Sequence, residues 1–563
     1  HVAGILRRLL RLCEWHRARP QIIACSATLA NPGELFQDLT GRNATLITED
    51  GAAHGERTIA ILAPPIDEDP TSPALSPNVE TGRILAELVT HNTRSLAFCR
   101  ARTSAELVLR YARQALRDHN TPESWVESYR GGYTAAERRT IERDLFTGKL
   151  RGLATTNAME LGVDVGGLDA VIINGYPGTI SSFWQQVGRA GRSGRPGFGL
   201  LITHPDPVEG FLARNPHLVL DRAVERASIN LQNPSVLTAH LTCACHERAV
   251  SEEEAANFGA SAIEVLHQLV NDSVVRESMG RFYYVAHRSP AAQINIRGTH
   301  GPQILIRAGE RDLGEMEEWR ALRSLHEGAV YLHRGETFLV QTLDLDSGTA
   351  YLDRAEPDYY TLAMANSYVE PIAEIDRSSL GAWSATLNTL KITTMISGYR
   401  TISLEGGHFR DEFPLELPTR EIGTLGVRIA CDIPFEPDPS TVAAIHTAEH
   451  ALIAVAPLFA GCDRNDLGST WFAFALETAG PCLYVFDTTP GGVGLAESLM
   501  NSLTDWLIAA RQLLQECPCE DGCPLCILST RCECGNEPLD KALGLKLLSS
   551  WVPADPLVSS GLP

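Results

Sequence analysis

Two segments near the middle of the chain constrain its fold and chemistry more than any other feature. Residues 154–165 have the pattern of a strand that runs into a glycine-bearing turn and then a carboxylate, Asp164. Residues 185–192 form a predicted helix whose two arginines, Arg189 and Arg192, lie about one turn apart. A guanidinium group is planar, permanently charged and matched to phosphate oxygens, and arginines that stabilise a transferring phosphoryl group accelerate nucleotide hydrolysis. The pair therefore indicates a site for one phosphate-like anion.

These two segments resemble motifs V and VI of superfamily 2 helicases. In that family the glutamine and both arginines of Gln-x-x-Gly-Arg-x-x-Arg face the triphosphate from the second RecA-like domain. The resemblance implies catalytic roles for Gln185, Arg189 and Arg192, with Arg192 as the arginine finger. It also implies that Asp164, in the position of the motif V acid, and Gly162 belong to the nucleotide site. The alternative is a solvated basic helix.

Strand-like and helical segments alternate around these motifs. The predicted strands cover residues 95–99, 152–155, 170–173 and 199–203, and the predicted helices cover 105–117 and 137–147. Strands separated by helices are typical of a parallel, doubly wound sheet. We therefore predict an α/β fold with a second RecA-like domain at residues 52–222.

Residues 1–51 are expected to be the tail of a first RecA-like domain. An arginine-rich amphipathic helix is predicted over residues 1–18, and a short buried strand over 21–25 leads to Ser26-Ala-Thr28. Ligand-binding groups gather at the carboxyl ends of such strands, and this tripeptide resembles helicase motif III, which places Ser26 and Thr28 in the nucleotide site. The sequence contains no Gly-x-x-x-x-Gly-Lys-[Ser/Thr] loop and no Asp-Glu-x-His box before Ser26, and hydrolysis requires both. We expect the C-terminal part of a longer protein that does not hydrolyse ATP alone.

Three segments at predicted strand ends are expected to contact nucleic acid. They begin near residues 99, 129 and 155, and the first resembles helicase motif IV. Small hydroxyls, an amide, glycine N–H groups and a few arginines hold phosphate oxygens without reading bases, as a motor that passes any sequence requires. The predicted contact residues are Arg100, Arg102, Arg130, Gly131, Thr156 and Asn157. The alternatives are surface ion pairs for the first two arginines and a plain turn at the glycine.

The remainder of the chain changes character twice. Residues 223–293 have helices followed by a short strand, which suggests a winged helix, and residues 294–563 are rich in strand patterns. Residues 331–336, 357–361, 449–454 and 490–494 resemble the accessory region of the mitomycin repair factor A (MrfA) helicases. Together with the motor motifs, the resemblance covers nearly the whole chain.

Six of the 14 cysteines lie between residues 517 and 534. Cys517, Cys519, Cys523 and Cys526 form C-x-C-x3-C-x2-C, a spacing in which thiolates can surround one Zn²⁺ tetrahedrally. Cys532 and Cys534 follow, so six candidates exist for four positions. The resemblance to MrfA helicases, whose C-terminal domain carries a four-cysteine zinc site, favours the first four, and Cys532 in place of Cys517 is the alternative. Such a site is expected to be structural.

Two further motifs have competing interpretations. His446-Thr-Ala-Glu-His450 has the H-x-x-E-H spacing of inverted zinc proteases, but the apolar residues 451–459 that follow favour a buried helix with satisfied histidines. Residues 487–494, Asp-Thr-Thr-Pro-Gly-Gly-Val-Gly, precede an apolar helix and can cradle an anion. Because this turn has no lysine, we interpret it as structural.

Charge limits the partners. The chain has 48 Lys and Arg against 69 Asp and Glu, a net charge of −21, so it cannot coat nucleic acid by bulk charge and its contacts must be local.

No uninterrupted apolar run is long enough to predict a membrane span. Clustered cysteines without a disulfide framework indicate a reducing compartment, hence a cytoplasmic location.

The motor motifs and the MrfA resemblance together predict the C-terminal part of an ATP-dependent DNA helicase. The family resemblance implies 3′ to 5′ translocation, DNA repair, ATP and Mg²⁺ as cofactors, and a monomer acting on single-stranded DNA or a duplex with a single-stranded tail. The alternatives are an RNA helicase or a defence-system helicase with the same motor, and a non-enzymatic zinc-containing module that binds nucleic acid.

Overall fold

The structure is a computed structural model. It describes residues 1–49, 51, 55–63, 76–131, 133, 135–160, 167–191, 194–294, 296, 302–333, 336–403, 409–433, 437–475, 477–529, 532 and 534–552. The predicted site residues Gly162, Asp164 and Arg192 lie outside these ranges.

The N-terminal segment contains two helices, α1 (Val2–Trp15) and α2 (Pro32–Thr40). The arginine face of α1 is held by main-chain carbonyls: Arg11 Nη2 donates to the Ala244 carbonyl and Arg7 Nη1 to the Phe258 carbonyl, each at 2.7 Å. The apolar side is less covered, since Leu9 is 52% exposed. Hydrogen bonds from arginines, more than burial of leucines, therefore hold α1 in its position.

The buried strand predicted at residues 21–25 is wrong. The structure has no strand there, and Ile23 is 80% exposed. A strand forms only where a neighbour satisfies its main-chain groups, and the described part of the chain offers this segment no partner strand. The apolar pattern was therefore not sufficient to specify a strand.

The central α/β domain contains a six-stranded sheet in the order β1-β6-β5-β2-β4-β3, with every pair parallel. Its elements are β1 (Arg57–Leu62), α3 (Pro77–Thr90), β2 (Ser95–Cys99), α4 (Arg102–Asp118), β3 (Val126–Tyr129), α5 (Ala135–Phe146), β4 (Gly152–Thr155), β5 (Ala170–Asn174), α6 (Ile180–Val187), β6 (Gly197–Ile202), α7 (Pro207–Arg214) and α8 (His217–Leu220). The predicted parallel, doubly wound sheet is confirmed. Strand β2 is buried at all five positions because helices cover both faces.

A small helical module follows, with a two-stranded antiparallel wing. Its elements are α9 (Pro234–Glu247), α10 (Glu252–Ala256), α11 (Ala262–Asn271), β7 (Val275–Ser278) and β8 (Arg281–Tyr284). The side chain of Asn233 caps α9 by accepting from the Val236 N–H, and Ser251 and Glu254 form a capping box on α10. Three helices and a wing are the winged helix that the sequence predicts.

Two antiparallel-rich sheets dominate the remainder. The first, in the order β10-β9-β13-β12-β11, comprises β9 (Gln303–Ala308), β10 (Arg311–Glu317), β11 (Val330–His333), β12 (Glu336–Asp344) and β13 (Thr349–Arg354), with α12 (Glu318–Ser324) beside it. The second comprises β14 (Tyr359–Leu380), β15 (Trp383–Ser403), β16 (Phe409–Pro414), β17 (Arg420–Cys431), β18 (Leu467–Ala475) and β19 (Gly480–Asp487). This is the β-rich C-terminal region that the sequence predicts.

Five helices accompany the second of these sheets: α13 (Pro439–Val455), α14 (Pro457–Ala460), α15 (Leu495–Asn501), α16 (Leu503–Glu516) and α17 (Lys541–Trp551). Helices α13 and α15 pack on the sheet, and α14, α16 and α17 pack on those two helices. Residues Pro439–Ala460 have the length and the mean hydropathy, 1.5, of a membrane span, although polar residues interrupt the apolar ones. However, 89% of that window is buried inside the protein. Helix α13 is therefore typical of a core helix.

Candidate functional site

Thr28 and Gln185 meet at the junction of the N-terminal segment and the α/β domain. Gln185 Nε2 donates to Thr28 Oγ1 at 2.5 Å and to Ser181 Oγ at 3.2 Å. Ser181 Oγ in turn donates to the Thr28 carbonyl at 3.2 Å. Thus the predicted motif III and motif VI residues are in direct contact. Ser26, two residues earlier, is exposed.

One atom of this cluster is unsatisfied. Gln185 Oε1 is buried and has no hydrogen-bond partner among the described residues. A buried amide oxygen without a donor costs about 1–3 kcal/mol, so the position is prepared for a hydrogen-bond donor that the described chain does not supply. A bound group at this junction can supply it.

Arg189 contacts the end of the motif V region. It is 6% exposed, and its Nε and Nη2 both donate to the Glu160 carbonyl. Gln186 Nε2 donates to the Glu160 carboxylate at 2.9 Å. Helix α6 ends at Val187, so the helix predicted over residues 185–192 does not extend to Arg189, which lies in the turn that follows. This turn is thus tied to the segment before residues 161–166. How Asp164, Gly162 and Arg192 complete this arrangement stays a prediction.

A groove of about 2600 Å³ lies between the α/β domain, the winged helix and the C-terminal sheets. Arg102 and Arg130 line it from the α/β domain, and Tyr331 lies opposite them in β11. Burial raises the pKa of the Tyr331 phenol, and the positive charges of Arg130 and Arg102 oppose that rise. Two predicted nucleic-acid residues therefore share one wall of an open groove.

A second basic patch surrounds Trp319 in the same groove. The guanidinium of Arg420 lies 5.0 Å and that of Arg323 lies 5.8 Å from the centre of the Trp319 ring. Carboxylates such as Glu317 also line the groove, so positive charge is confined to patches. Arginines interleaved with aromatic rings are typical of surfaces that bind single-stranded nucleic acid.

Arg130 is the most constrained of these arginines. It is 2% exposed, and its Nε donates to Glu106 Oε1 at 2.8 Å. The hydroxyl of Tyr133 donates to the same carboxylate oxygen at 2.9 Å. Arg130 Nη2 is buried and has no hydrogen-bond partner among the described residues. One edge of the guanidinium is thus anchored, and the other remains available for an acceptor.

The remaining predicted nucleic-acid residues differ in their surroundings. Arg102 Nη2 lies above Gly131, 3.6 Å from where a Cβ there would stand. Thr156 is buried and its N–H donates to the Tyr129 carbonyl at 3.4 Å, while Asn157 is exposed and begins a 3-10 turn. The groove wall does not include these last two among its described residues. Their contact with nucleic acid stays a prediction.

Arg100 lies in an ion pair, which was the alternative interpretation. Its Nη1 donates to the fully buried Glu209 at 3.2 Å, and its Nη2 lies 3.5 Å from Asp463 in the C-terminal region. Burial raises the pKa of Glu209 to about 8, and Arg100 opposes that rise. In this conformation Arg100 joins two domains.

Four thiols converge at the end of α16. The Sγ atoms of Cys517 and Cys519, of Cys517 and Cys523, of Cys519 and Cys526, and of Cys523 and Cys526 lie 3.5, 3.5, 3.4 and 3.8 Å apart. A tetrahedral Zn²⁺ with Zn–S bonds of about 2.3 Å separates its sulfurs by about 3.8 Å. All four sulfurs lie within 4.8 Å of one another. The geometry and the soft donor set both suit zinc.

Cys532, the alternative ligand, lies elsewhere. It groups with His446 and His450 of α13, and its Sγ is 3.3 Å from His446 Nε2. Sequence reasoning treated these histidines and this cysteine separately. The H-x-x-E-H spacing was the signal for the first two, but no local pattern links them to a residue 86 positions from His446.

The glycine-rich turn holds its own carboxylate. Asp487 is fully buried and accepts from the N–H groups of Val493 at 2.6 Å and Ala496 at 2.8 Å. The Pro490 and Gly492 carbonyls accept from the Asn233 side chain. The turn therefore starts α15 and docks the winged helix, which agrees with the structural interpretation.

Three family models match the chain. The helicase conserved C-terminal domain matches residues 80–194, the winged helix domain of ATP-dependent helicase HRQ1 matches 229–299, and the MrfA Zn-binding domain matches 448–527. The uncharacterized ATP-dependent helicase YprA of Bacillus subtilis is 32% identical over 94% of this chain and 71% of its own length. The chain belongs to the MrfA helicase family.

A solved structure and a second relative agree with that assignment. The DUF1998 helicase MrfA bound to DNA is 30% identical, with a TM-score of 0.73 over 98% of this chain and 74% of that chain. The ATP-dependent helicase HRQ1 of Saccharomyces cerevisiae is 28% identical over 96% of this chain, but the match spans only 53% of the yeast protein. The MrfA Zn-binding match includes all four clustered cysteines and not Cys532, so zinc is the metal of this C-terminal domain.

Proposed function

We propose that this chain is the C-terminal part of an ATP-dependent DNA helicase that translocates on a single strand, 3′ to 5′, in DNA repair. The contact between Gln185 and Thr28 carries the proposal. It joins the motif VI helix to the motif III segment, and in superfamily 2 helicases these motifs belong to the two lobes that close around the nucleotide.

The residues present suit one side of an ATP site. Gln185 has a buried acceptor without a donor, and Arg189 lies in the turn directly after α6, which ends at Val187. Bound ATP supplies the phosphoryl-transfer energy that drives movement along the strand. In this proposal Gln185 links the nucleotide site to the N-terminal segment through its hydrogen bond to Thr28. Arg189 and Arg192 provide positive charge for the γ-phosphate. Asp164 and Gly162 complete the motif V side, and Ser26 accompanies Thr28.

The groove is the proposed track for single-stranded DNA. Arg102 and Arg130 would hold phosphates, and the patch around Trp319 would stack bases. Contacts of Gly131, Thr156 and Asn157 with the strand are part of the same proposal. The evidence is the concentration of arginines and rings in a chain of net charge −21, because only a local patch can then bind a polyanion. Arg100 would join this surface only if its pairs with Glu209 and Asp463 open.

Zinc is proposed to bind Cys517, Cys519, Cys523 and Cys526, and the sulfur separations of 3.4 to 3.8 Å support this set. With four thiolates the site has no open position and would hold the end of α16 to α17. A monomer, a cytoplasmic location and domain limits at residues 51, 222 and 293 are part of the same proposal.

The test uses the full-length protein. We expect ATP hydrolysis that single-stranded DNA stimulates and unwinding of duplexes with a 3′ tail. Arg189→Ala should lower turnover roughly 100-fold, as the loss of one stabilising donor does, with unchanged DNA affinity. Unwinding of RNA duplexes at an equal rate would favour an RNA helicase. Turnover that is unchanged in the variant would disprove the proposed motor.

A further inference from the structure

A second cluster of metal-binding side chains lies on the core helix α13. His446 and His450 are one turn apart and are 0% and 7% exposed. Both rings are fixed through Nδ1, which lies 2.8 Å from the Pro538 carbonyl for His446 and 2.5 Å from the Ile527 carbonyl for His450. Because a carbonyl oxygen only accepts, each Nδ1 carries the proton, so Nε2 is the nitrogen of each ring that is left to bind a metal.

This is the arrangement of histidines that bind metal. A ligating histidine almost always donates its other ring N–H to a carbonyl or a carboxylate, which fixes the tautomer and the direction of the free nitrogen. Here the two carbonyls come from the segment 527–538, which also carries Cys532. The segment thus both orients the two rings and brings a thiol to them.

The third donor atom is the Cys532 sulfur. It lies 3.3 Å from His446 Nε2, and the ligand atoms of the two histidines and Cys532 all lie within 4.8 Å of one another. A tetrahedral Zn²⁺ with Zn–N bonds of about 2.0–2.1 Å and Zn–S bonds of about 2.3 Å separates these two atoms by about 3.5 Å. The Asn536 N–H donates to the same sulfur at 3.2 Å, which stabilises a thiolate.

We propose that His446, His450 and Cys532 bind a second Zn²⁺, distinct from the four-cysteine site. The ligand atoms of the two histidines and the Cys532 sulfur lie close enough together to share one ion. A metal ion satisfies both nitrogens and the sulfur at once. The three residues all line the groove, so the fourth position faces it, with the Glu449 carboxylate 3.7 Å from His450 Nε2.

The role of this ion would be structural. Residues 527–538 connect the four-cysteine cluster to α17, and the three ligands would fasten that connection to the middle of α13. The donor set of two imidazoles and one thiolate suits Zn²⁺, whereas Mg²⁺ and Ca²⁺ prefer oxygen ligands. The second site does not depend on the motor function.

Metal content tests the proposal. The chain is incubated with Zn²⁺, exchanged into metal-free buffer and assayed by elemental analysis. We expect two zinc ions per wild-type chain and one in Cys532→Ser and in the double variant His446→Asn, His450→Asn. Cys25→Ser and His91→Asn, which change exposed residues outside both clusters, should keep two.

X-ray absorption at the zinc edge distinguishes the two sites by their ligand atoms. The wild type should show a mixed environment, with Zn–S near 2.3 Å and Zn–N near 2.0–2.1 Å, and Cys532→Ser should show sulfur alone. Cys523→Ser should instead keep a nitrogen-containing site. One zinc ion per wild-type chain with only sulfur neighbours would overturn the proposal, and so would a second ion that survives loss of Cys532 and both histidines.

Discussion

Gln185 in α6 donates a hydrogen bond of 2.5 Å to the hydroxyl of Thr28, 157 residues earlier in the chain. The hydroxyl of Ser181, one turn before Gln185, bonds both the hydroxyl and the main-chain carbonyl of Thr28. The contact ties α6, and the turn after it that carries Arg189, to the N-terminal segment. A change in the position of one of these two segments can therefore affect the other through this hydrogen bond.

Removing the Thr28 hydroxyl tests that link. In Thr28→Val the Gln185 amide loses one of its two acceptors and keeps only the Ser181 hydroxyl at 3.2 Å, so we expect ATP turnover of the whole protein, stimulated by single-stranded DNA, to fall roughly tenfold, within the range typical of coupled sites. Thr28→Ser keeps the hydroxyl and should remain near wild type. If valine and serine behave alike in a turnover assay, the contact does not couple the two segments.

The groove can be tested with two arginines of the same helix. Arg102 at the start of α4 lines the groove, whereas Arg117 near its end pairs with Glu123 on the surface at 2.7 Å. Arg102→Ala should weaken binding of a single-stranded oligonucleotide, and should lower the slope of log affinity against log salt by about 1. Arg117→Ala should change neither. Fluorescence anisotropy over a salt series measures both, and equal effects would place the track elsewhere.

The buried pair of Arg130 and Glu106 predicts a stability effect. Their side chains are 2% and 8% exposed, so Glu106→Ala leaves a buried guanidinium without its partner. We expect unfolding free energy to fall by about 3–5 kcal/mol, measured by urea denaturation. Glu106→Gln, which keeps an acceptor oxygen, should lose less. A change below about 1 kcal/mol in the alanine variant would mean that solvent or another group replaces the carboxylate.

The position of Lys541 beside the four cysteines predicts an effect of this residue on zinc affinity. Its Nζ donates to the Cys517 carbonyl at 2.8 Å and lies 3.4 Å from Cys519 Sγ, so its charge offsets that of the thiolates. Lys541→Met should weaken zinc binding at the four-cysteine site about 10–100-fold, as the loss of a group that supports the ligands does. Lys546→Met, on the exposed side of α17, is the control. Competition with a chelator measures both, and equal affinities would assign Lys541 a packing role only.

Much of the α/β domain could be predicted because its signals are local. Strand β4 has the predicted bounds, and β2 does as well, since short apolar runs between helices fit only a sheet covered on both faces. A metal site at the clustered cysteines was also predictable, because four of them fall within ten residues, but it was the resemblance to MrfA helicases that favoured these four among six candidates. The strand expected at residues 21–25 failed for the opposite reason: its existence depends on a neighbour, and not on its own side chains.

The sequence by itself determined the order of motor motifs, the parallel sheet, the winged helix and the clustered cysteines, because each is encoded by periodicity or spacing within a short window. Only the tertiary structure decided that Arg100 faces Glu209 and Asp463, that Arg102 and Arg130 share a groove with Tyr331, and that Cys532 meets His446 and His450. Such contacts depend on how elements that are distant in the sequence pack together. Packing is set by the whole buried surface, so no local pattern records it.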